Sequence, residues 1–184
     1  MQQTITLKDK EVIVNIAQAS TKDVEALLLL NAKWQPAVLN GDKAKGFLSG
    51  AFDAALFEQL IEQNTIVVAY DNDILAGYML SINNLEHGVL KIHKDQVAEL
   101  KANGKLPSNS NIAIGIQTAV ELAYHGSGLI VAIRNEFKNL LRNRYQYLFT
   151  TIAKDNIRSY NSATIFGWQV VGSDEHYYYL TLLV

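Results

Sequence analysis

Apolar residues recur along this chain at two intervals, two residues in some stretches and three to four in others. Val12 to Ala17 reads as a short β-type run. Ser20 and Asp23 then have capping-box spacing, with Asp where Glu or Gln is usual. Val24, Leu27, Leu28 and Trp34 follow at near-helical spacing and predict a helix. A second amphipathic helix is expected from Gly46 to Glu62, with Phe47, Leu48, Phe52, Leu56, Leu60 and Ile61 facing inward. Thr65 to Tyr70 and Ile74 to Ile82, joined by Asp71-Asn72-Asp73, read as a β-hairpin. Asn83 to Asn111 is more polar and holds a short helix, Lys94 to Ala102, which suits either a lid or a variable insertion. Ile112 to Leu122 is a strand. The next helix sets Leu129, Ile133, Phe137, Leu140 and Leu141 on one face and Arg134, Glu136, Lys138 and Arg142 on a solvated one. Tyr145 to Ala153 is a strand, Ile157 to Phe166 a short helix, and Trp168 to Val171 with Tyr177 to Leu182 a closing strand pair. The order β-α-α-β-β-(insert)-β-α-β-α-β-β predicts a mixed α/β sheet with helices on its faces. Without repeats or linkers, residues 1–184 read as one domain.

The junction Val120-Glu121-Leu122-Ala123-Tyr124-His125-Gly126-Ser127-Gly128-Leu129 joins a strand directly to an amphipathic helix. Glycines there let the backbone approach a bulky anion. A helix start adds unpaired N–H groups and the positive end of a dipole, so a phosphate can be held without a lysine. The same residues also suit a plain tight turn with Ser127 as cap. Competing anion motifs fail. Gly41 to Gly46 has P-loop glycine spacing, but Phe47 and Leu48 stand where Lys and Ser/Thr belong. Val131 fills the third small-residue slot of a dinucleotide fingerprint.

Composition narrows the classes. The chain has 184 residues and no cysteine, which excludes disulfides, thiolate–zinc sites and a cysteine nucleophile and fits a reducing compartment. Met1 to Lys10 is too polar for a signal peptide, and no apolar run approaches bilayer length, so a cytoplasmic protein without membrane attachment is expected. Sixteen basic and eighteen acidic residues give a net charge of -2, without the basic surplus of a nucleic-acid binder. His87, His93, His125 and His176 lack metal-ligand spacing, so no metal is expected. Ser127 sits in His-Gly-Ser-Gly, which is not a hydrolase elbow.

The strand, loop, helix and strand, followed by Asp155-Asn156-Ile157-Arg158-Ser159 and then Phe166-Gly167-Trp168, resemble the GNAT superfamily of N-acetyltransferases. Val120, Tyr124, His125-Gly126-Ser127-Gly128 and Leu129 align with its acyl-CoA motif. Asn156, Ser159 and Gly167-Trp168 align with its next motif, and Ala76-Gly77-Tyr78 with its Val-Gly-Tyr. The resemblance spans Val12 to Val184. It implies acetyl-CoA as co-substrate and transfer of the acetyl group to a primary amine of a small molecule or peptide. It also implies strand-like pairing of the Val120 and Leu122 backbone with pantetheine amides. The N–H groups from His125 through Gly126, Ser127 and Gly128 to Leu129 would cradle the pyrophosphate, and Asn156 and Ser159 would contact the pantetheine arm. The thioester would lie where Ile112 to Leu122 and Tyr145 to Ala153 splay apart. Relatives often pair through sheet edges or C-terminal strands, so a homodimer is one option.

Four slots depart from the family pattern: Ala123 for Gln or Arg, His125 for Arg, Ala163 for the tyrosine acid, and Thr151 for a glutamate base. No catalytic residue is therefore assigned. Tyr160, His176, Tyr177, Tyr178 and Tyr179 are candidates for proton transfer and equally suit packing or exposed positions. Gln117 can bond a substrate but cannot act as a base. Ala32 to Lys45 and Asn83 to Asn111 are expected to shape the acceptor site. Two other readings stay open, a non-catalytic acyl-CoA-binding relative acting through protein contacts and a nucleotide-binding oxidoreductase.

Overall fold

The computed structural model describes residues 1–39, 46–83 and 88–184. The glycine-spaced stretch at 41–45, His87 and parts of both expected acceptor-shaping segments lie outside the described residues. The elements are β1 (Gln2–Leu7), β2 (Lys10–Gln18), α1 (Val24–Lys33), α2 (Ala54–Glu62), β3 (Ile66–Asp71), β4 (Ile74–Ser81), α3 (Gly88–Ala102), β5 (Ile112–Ile114), β6 (Ile116–Val120), α4 (Leu129–Leu141), β7 (Tyr147–Ala153), α5 (Ile157–Ile165), β8 (Gln169–Ser173) and β9 (Tyr177–Leu183). They form two compact units, with boundaries at 80/81, 116/117 and 140/141 and with Gly46 and Phe47 assigned to the second.

The first unit carries a sheet of order β1-β2-β3-β4-β6. Its first hairpin turns on Lys8 and Asp9, both left-handed at φ 48° and 66°, as a two-residue primed turn demands. Sequence patterning missed β1, because Lys-Asp lacks the Asn-Gly signature of such turns. The capping box holds: the Asp23 carboxylate accepts from Ser20 N at 2.7 Å and Ser20 Oγ at 3.0 Å. It opens a 3-10 turn leading into α1. Strand β4, between β3 and β6, is buried on both faces after Ile74. Gly77 lets β6 come close, since a Cβ there would stand 2.9 Å from Ala119 O and 3.0 Å from Ile133 Cδ1. On α4, Leu129, Ile133, Phe137 and Leu141 of the expected stripe are fully buried, whereas Leu140 is half-buried. Arg134 corrects the expected solvated face: it is buried, and desolvation lowers its guanidinium to about 10.

The second helix is shorter than expected. It starts at Ala54, capped by Asp53, whose side chain accepts from Leu56 N at 2.9 Å. The preceding residues cannot be helical, because Gly46 is left-handed at φ 83° and the Gly50 carbonyl bonds side chains instead. Asn31 Nδ2 (3.2 Å), Gln35 Nε2 (2.9 Å) and Gln117 Nε2 (3.1 Å) all donate to that oxygen. Asn31 Nδ2 also reaches Tyr78 Oη at 3.0 Å and Gln117 Oε1 at 3.1 Å, and the Tyr78 hydroxyl donates to Gln117 Oε1 at 2.8 Å. This network fixes the approach to α2 and engages both the oxygen and the nitrogen of the Gln117 amide.

The second unit carries a sheet of order β5-β7-β9-β8. β5 and β7 run parallel with Ile112↔Tyr147, Ala113↔Leu148 and Ile114↔Phe149, while β9 lies antiparallel to both β7 and β8. The expected single strand Ile112 to Leu122 is corrected here. It breaks at Gly115, left-handed at φ 65°, and the following β6 is paired into the other sheet. A Cβ at Gly115 would fall 2.2 Å from Ile82 Cγ1, so no other residue fits. The polar segment's helix, α3, is longer than expected, beginning at Gly88.

Candidate functional site

The candidate anion loop lies within the first unit. Val120 ends β6 and is buried, and pairing with β4 continues one step to Glu121 N, which donates to Ala76 O at 2.8 Å. The chain then enters a 3-10 turn, Leu122–Tyr124, with Leu122 47% exposed. Leu122 is thus not strand-like as expected, and its carbonyl accepts from His125 N at 3.2 Å. Tyr124 is buried beneath the turn and donates its hydroxyl to Asp71 Oδ2 at 2.8 Å. Burial and that carboxylate push the Tyr124 phenol up to about 12. Glu121 is neutralised by Lys33 Nζ at 2.6 Å. His125 stacks on Trp34 with centroids 5.5 Å apart and planes 21° apart, and its Nε2 lies 3.1 Å from Val120 O. The carbonyl expected to meet pantetheine therefore already has an imidazole partner.

Gly126 and Gly128 are both left-handed, at φ 82° and 84°, and a Cβ built on either meets nothing within 4 Å. Between them, Ser127 N donates to Tyr124 O at 3.3 Å, and Ser127 Oγ donates to the same carbonyl at 2.7 Å while accepting from Leu129 N at 3.3 Å. Of the five amides expected to face an anion, those of His125, Ser127 and Leu129 are thus engaged locally. Those of Gly126, Gly128 and the next residue, Ile130, have no partner among the described residues. They lie at the start of a helix of 13 residues, where the dipole favours negative charge. The space that a Cβ at Gly126 or Gly128 would occupy is open, so at both positions the backbone can be approached closely.

The second unit holds the other expected residues. Asn156 is buried and caps α5: its Oδ1 accepts from Ser159 N at 3.3 Å and its Nδ2 donates to Phe47 O at 2.9 Å. Its polar atoms are thereby committed to the cap and to the Gly46–Phe47 segment, and Ser159 is half-buried in the first turn. Tyr160 packs on Tyr178 at 4.5 Å, with Lys154 Nζ 5.5 Å from the Tyr178 ring. His176 is exposed in a turn built on Asp174, which accepts from His176 N at 2.8 Å and from the Tyr179 hydroxyl at 2.6 Å. One pairing escaped sequence reasoning. His93 Nε2 on α3 lies 3.2 Å from Thr151 Oγ1 on β7. The two residues are 58 positions apart and no local pattern links them. Among the described residues, no three His, Cys, Asp or Glu side chains lie together as a metal group would need, and no helix is long and apolar enough to cross a membrane.

No protein-family model matches the chain, and no curated protein matches it. Solved structures do. A GNAT-family acetyltransferase from Listeria monocytogenes is similar over 99% of this chain and 100% of its own, with TM-score 0.70 and 14% identity. The yncA protein of Salmonella typhimurium, solved with its cofactor acetyl-CoA, is similar over 92% of this chain and 93% of its own, with TM-score 0.60 and 14% identity. A ribosomal-protein-alanine N-acetyltransferase from Brucella melitensis is similar over 92% of this chain and 99% of its own, with TM-score 0.59 and 14% identity. At such identity the likeness speaks for architecture, and the architecture is plain: this chain has the fold of the GNAT acetyltransferases.

Proposed function

We propose that the chain is an acetyl-CoA-dependent N-acetyltransferase that transfers the acetyl group by direct attack of a primary amine, borne by a small molecule or a peptide. The observation that carries this reading is the open Gly126-Ser127-Gly128 turn, with unengaged amides at the mouth of α4, in a chain of GNAT fold. The amides of Gly126, Gly128 and Ile130 hold the pyrophosphate, and the rearranged turn leaves the Val120 carbonyl as the strand-end contact for pantetheine once His125 swings aside. Asn156 and Ser159 belong to the same proposal as contacts of the pantetheine arm. Acetyl-CoA supplies an activated thioester, so no covalent enzyme intermediate is needed. Alignment of the amine alone contributes on the order of 7 kcal/mol or more when geometry is good.

The test is thermal melting with acetyl-CoA, CoA and NAD side by side. At 100 times the dissociation constant a ligand stabilises its protein by about 2.7 kcal/mol. Acetyl-CoA and CoA are expected to raise Tm while NAD leaves it unchanged. No shift with millimolar acetyl-CoA or CoA defeats the proposal, and a shift with NAD alone supports the oxidoreductase reading instead.

A further inference from the structure

Away from the glycine loop, within the second unit, a cleft of about 310 Å³ is bordered by α3 and by β5, the edge strand of its sheet. Small-molecule sites begin at roughly that size. Lys94, Val97 and Lys101 line it from the helix, where positions three and four apart share a face. Asn83, Ile112 and Tyr145 are among its other walls. Lys101 is half-buried, and its Nζ donates to Ser110 O at 2.6 Å. Among the described residues, no Asp or Glu lines the cleft. Of the carboxylates on α3, Asp95 pairs with Lys91 at 3.8 Å and Glu99 bears on Tyr179. Two ammonium groups thus border a space with no carboxylate in its described lining.

The strand adds main-chain groups to this border. Tyr147 N donates to Asn111 O at 3.3 Å, and the parallel register sets Ile112 opposite Tyr147. In such a ladder the groups of residues 111 and 113 turn toward β7, and those of 112 and 114 turn away. Ile114 is already served on that outer side. Its N–H goes to Asn83 Oδ1 at 2.7 Å, and its carbonyl accepts from Ser81 Oγ at 2.9 Å and Ile82 N at 3.3 Å. The N–H and C=O of Ile112 have no partner among the described residues. The open edge is therefore one residue long. Lys101 Nζ sits at Ser110 O, two residues upstream, and so on the N–H side of Ile112.

We infer that this cleft binds an N-acylated α-amino acid, a small molecule whose carboxylate and amide N–H stand one carbon apart. Two residues paired antiparallel exchange both of their main-chain bonds. In that arrangement the ligand carboxylate accepts from Ile112 N–H, and the ligand N–H donates to Ile112 O. The carboxylate then lies on the Lys101 side, where the ammonium adds a charge-assisted bond. Lys94, two turns back on the same helix face, supplies a second, exposed charge. Acylation matters because a free α-ammonium would bring a third positive charge to these two. Asn83 and Ile114 close the edge beyond, leaving no second main-chain pair to hold a longer strand. The inference stands apart from the acetyltransferase reading, since every group it uses belongs to the second unit.

The experiment is an amide NMR titration of the 15N-labelled whole protein with acetyl-L-alanine. The Ile112 amide is expected to move downfield and to exchange more slowly with solvent, saturably, while Gly126 and Gly128 stay in place. Acetyl-L-alaninamide lacks the carboxylate and propionate lacks the amide N–H, and each should bind roughly 10-fold more weakly or worse. Inorganic phosphate that moves Ile112 as strongly as acetyl-L-alanine would reduce the cleft to a simple anion site and overturn the inference. A hexapeptide ending in alanine that binds more tightly than the probe would assign the edge to a protein partner and overturn the small-molecule reading.

K101M should weaken acetyl-L-alanine by roughly 10-fold or more, and K94M by roughly 2- to 5-fold, as suits an exposed charge. K91M removes the same charge from the same helix outside the cleft lining and should leave the affinity unchanged. Lys101 also holds Ser110 O, so the amide spectrum checks that K101M keeps its fold, and the acid-against-amide comparison in the wild type decides the matter if it does not. Equal affinity for acid and amide, an unmoved Ile112, or equal losses in K91M and K101M overturns the inference and leaves the proposed acetyl transfer untouched.

Discussion

Two helices in this molecule begin with polar, glycine-rich or asparagine-containing turns, and their first turns end up in opposite conditions. At α5, Asn156 folds its side chain over the helix start, accepting from Ser159 N and donating to Phe47 O. At α4, Ser127 covers only Leu129 N, and the left-handed glycines on either side leave three amides open above a surface without a Cβ. Both starts carry the same backbone dipole. The difference lies in who supplies the acceptor: a residue of the chain in one case, and in the proposed case an anion from outside. On the proposed reading, a helix start becomes a binding site where its own cap covers only part of the first turn.

This contrast can be broken most directly at Gly126. Gly126→Ala keeps the loop open in space but strains a left-handed residue, at about 1–2 kcal/mol. Gly104, left-handed at φ 69° with nothing within 4 Å of a built Cβ, provides the matched control. Gly104→Ala and Gly126→Ala should lower Tm alike, yet only Gly126→Ala should weaken acetyl-CoA, by roughly 10- to 100-fold, as relief of the strain turns the Gly126 amide away from the anion. Equal affinities in isothermal titration would remove the loop from the site.

The converse experiment is Asn156→Ala, which uncaps α5 and releases Phe47 O. It should destabilise by about 1–2 kcal/mol, or roughly 2–8 °C in Tm, seen by calorimetry. An unchanged Tm would mean that the cap is not what holds this turn.

The smallest effect concerns pH. Tyr124 has its folded pKa raised to about 12 from 10.0, so the folded state favours the neutral phenol. That stabilisation is complete below pH 10 and is lost as pH rises toward 12. Tyr124→Phe should flatten that part of the stability curve, measured by denaturant titration at stepped pH. His93 runs the other way: with its pKa lowered, its contribution is present above pH 6.5 and fades as the solution is acidified.

Much of this was legible in the chain because it is local. The Leu129, Ile133, Phe137 and Leu141 stripe and the hairpin around Asp71-Asn72-Asp73 depend on spacing and turn chemistry within a few residues. So does the coincidence of a strand end, two glycines and a helix start. What escaped depends on partners far away in sequence. Gly115 interrupts a run that otherwise reads as one strand, and only the Ile82 side chain shows why the position must be glycine. The expected helical start before Ala54 is cancelled by three side chains converging on the Gly50 carbonyl. Arg134 looks solvated from its charge and is buried. The Thr151–His93 pair joins a strand to a helix that polarity alone marked as an insert.

The single residue separating Ile114 from Ile116 also governs parity. Side chains along a strand alternate, so a chain longer or shorter by one at that position would turn β6 over by half a rotation. Gln117 would then leave Asn31, Tyr78 and the Gly50 carbonyl, and Ala119 would no longer lie against Gly77. Insertions that surface loops absorb readily should be intolerable here, since one added residue would misdirect a whole strand.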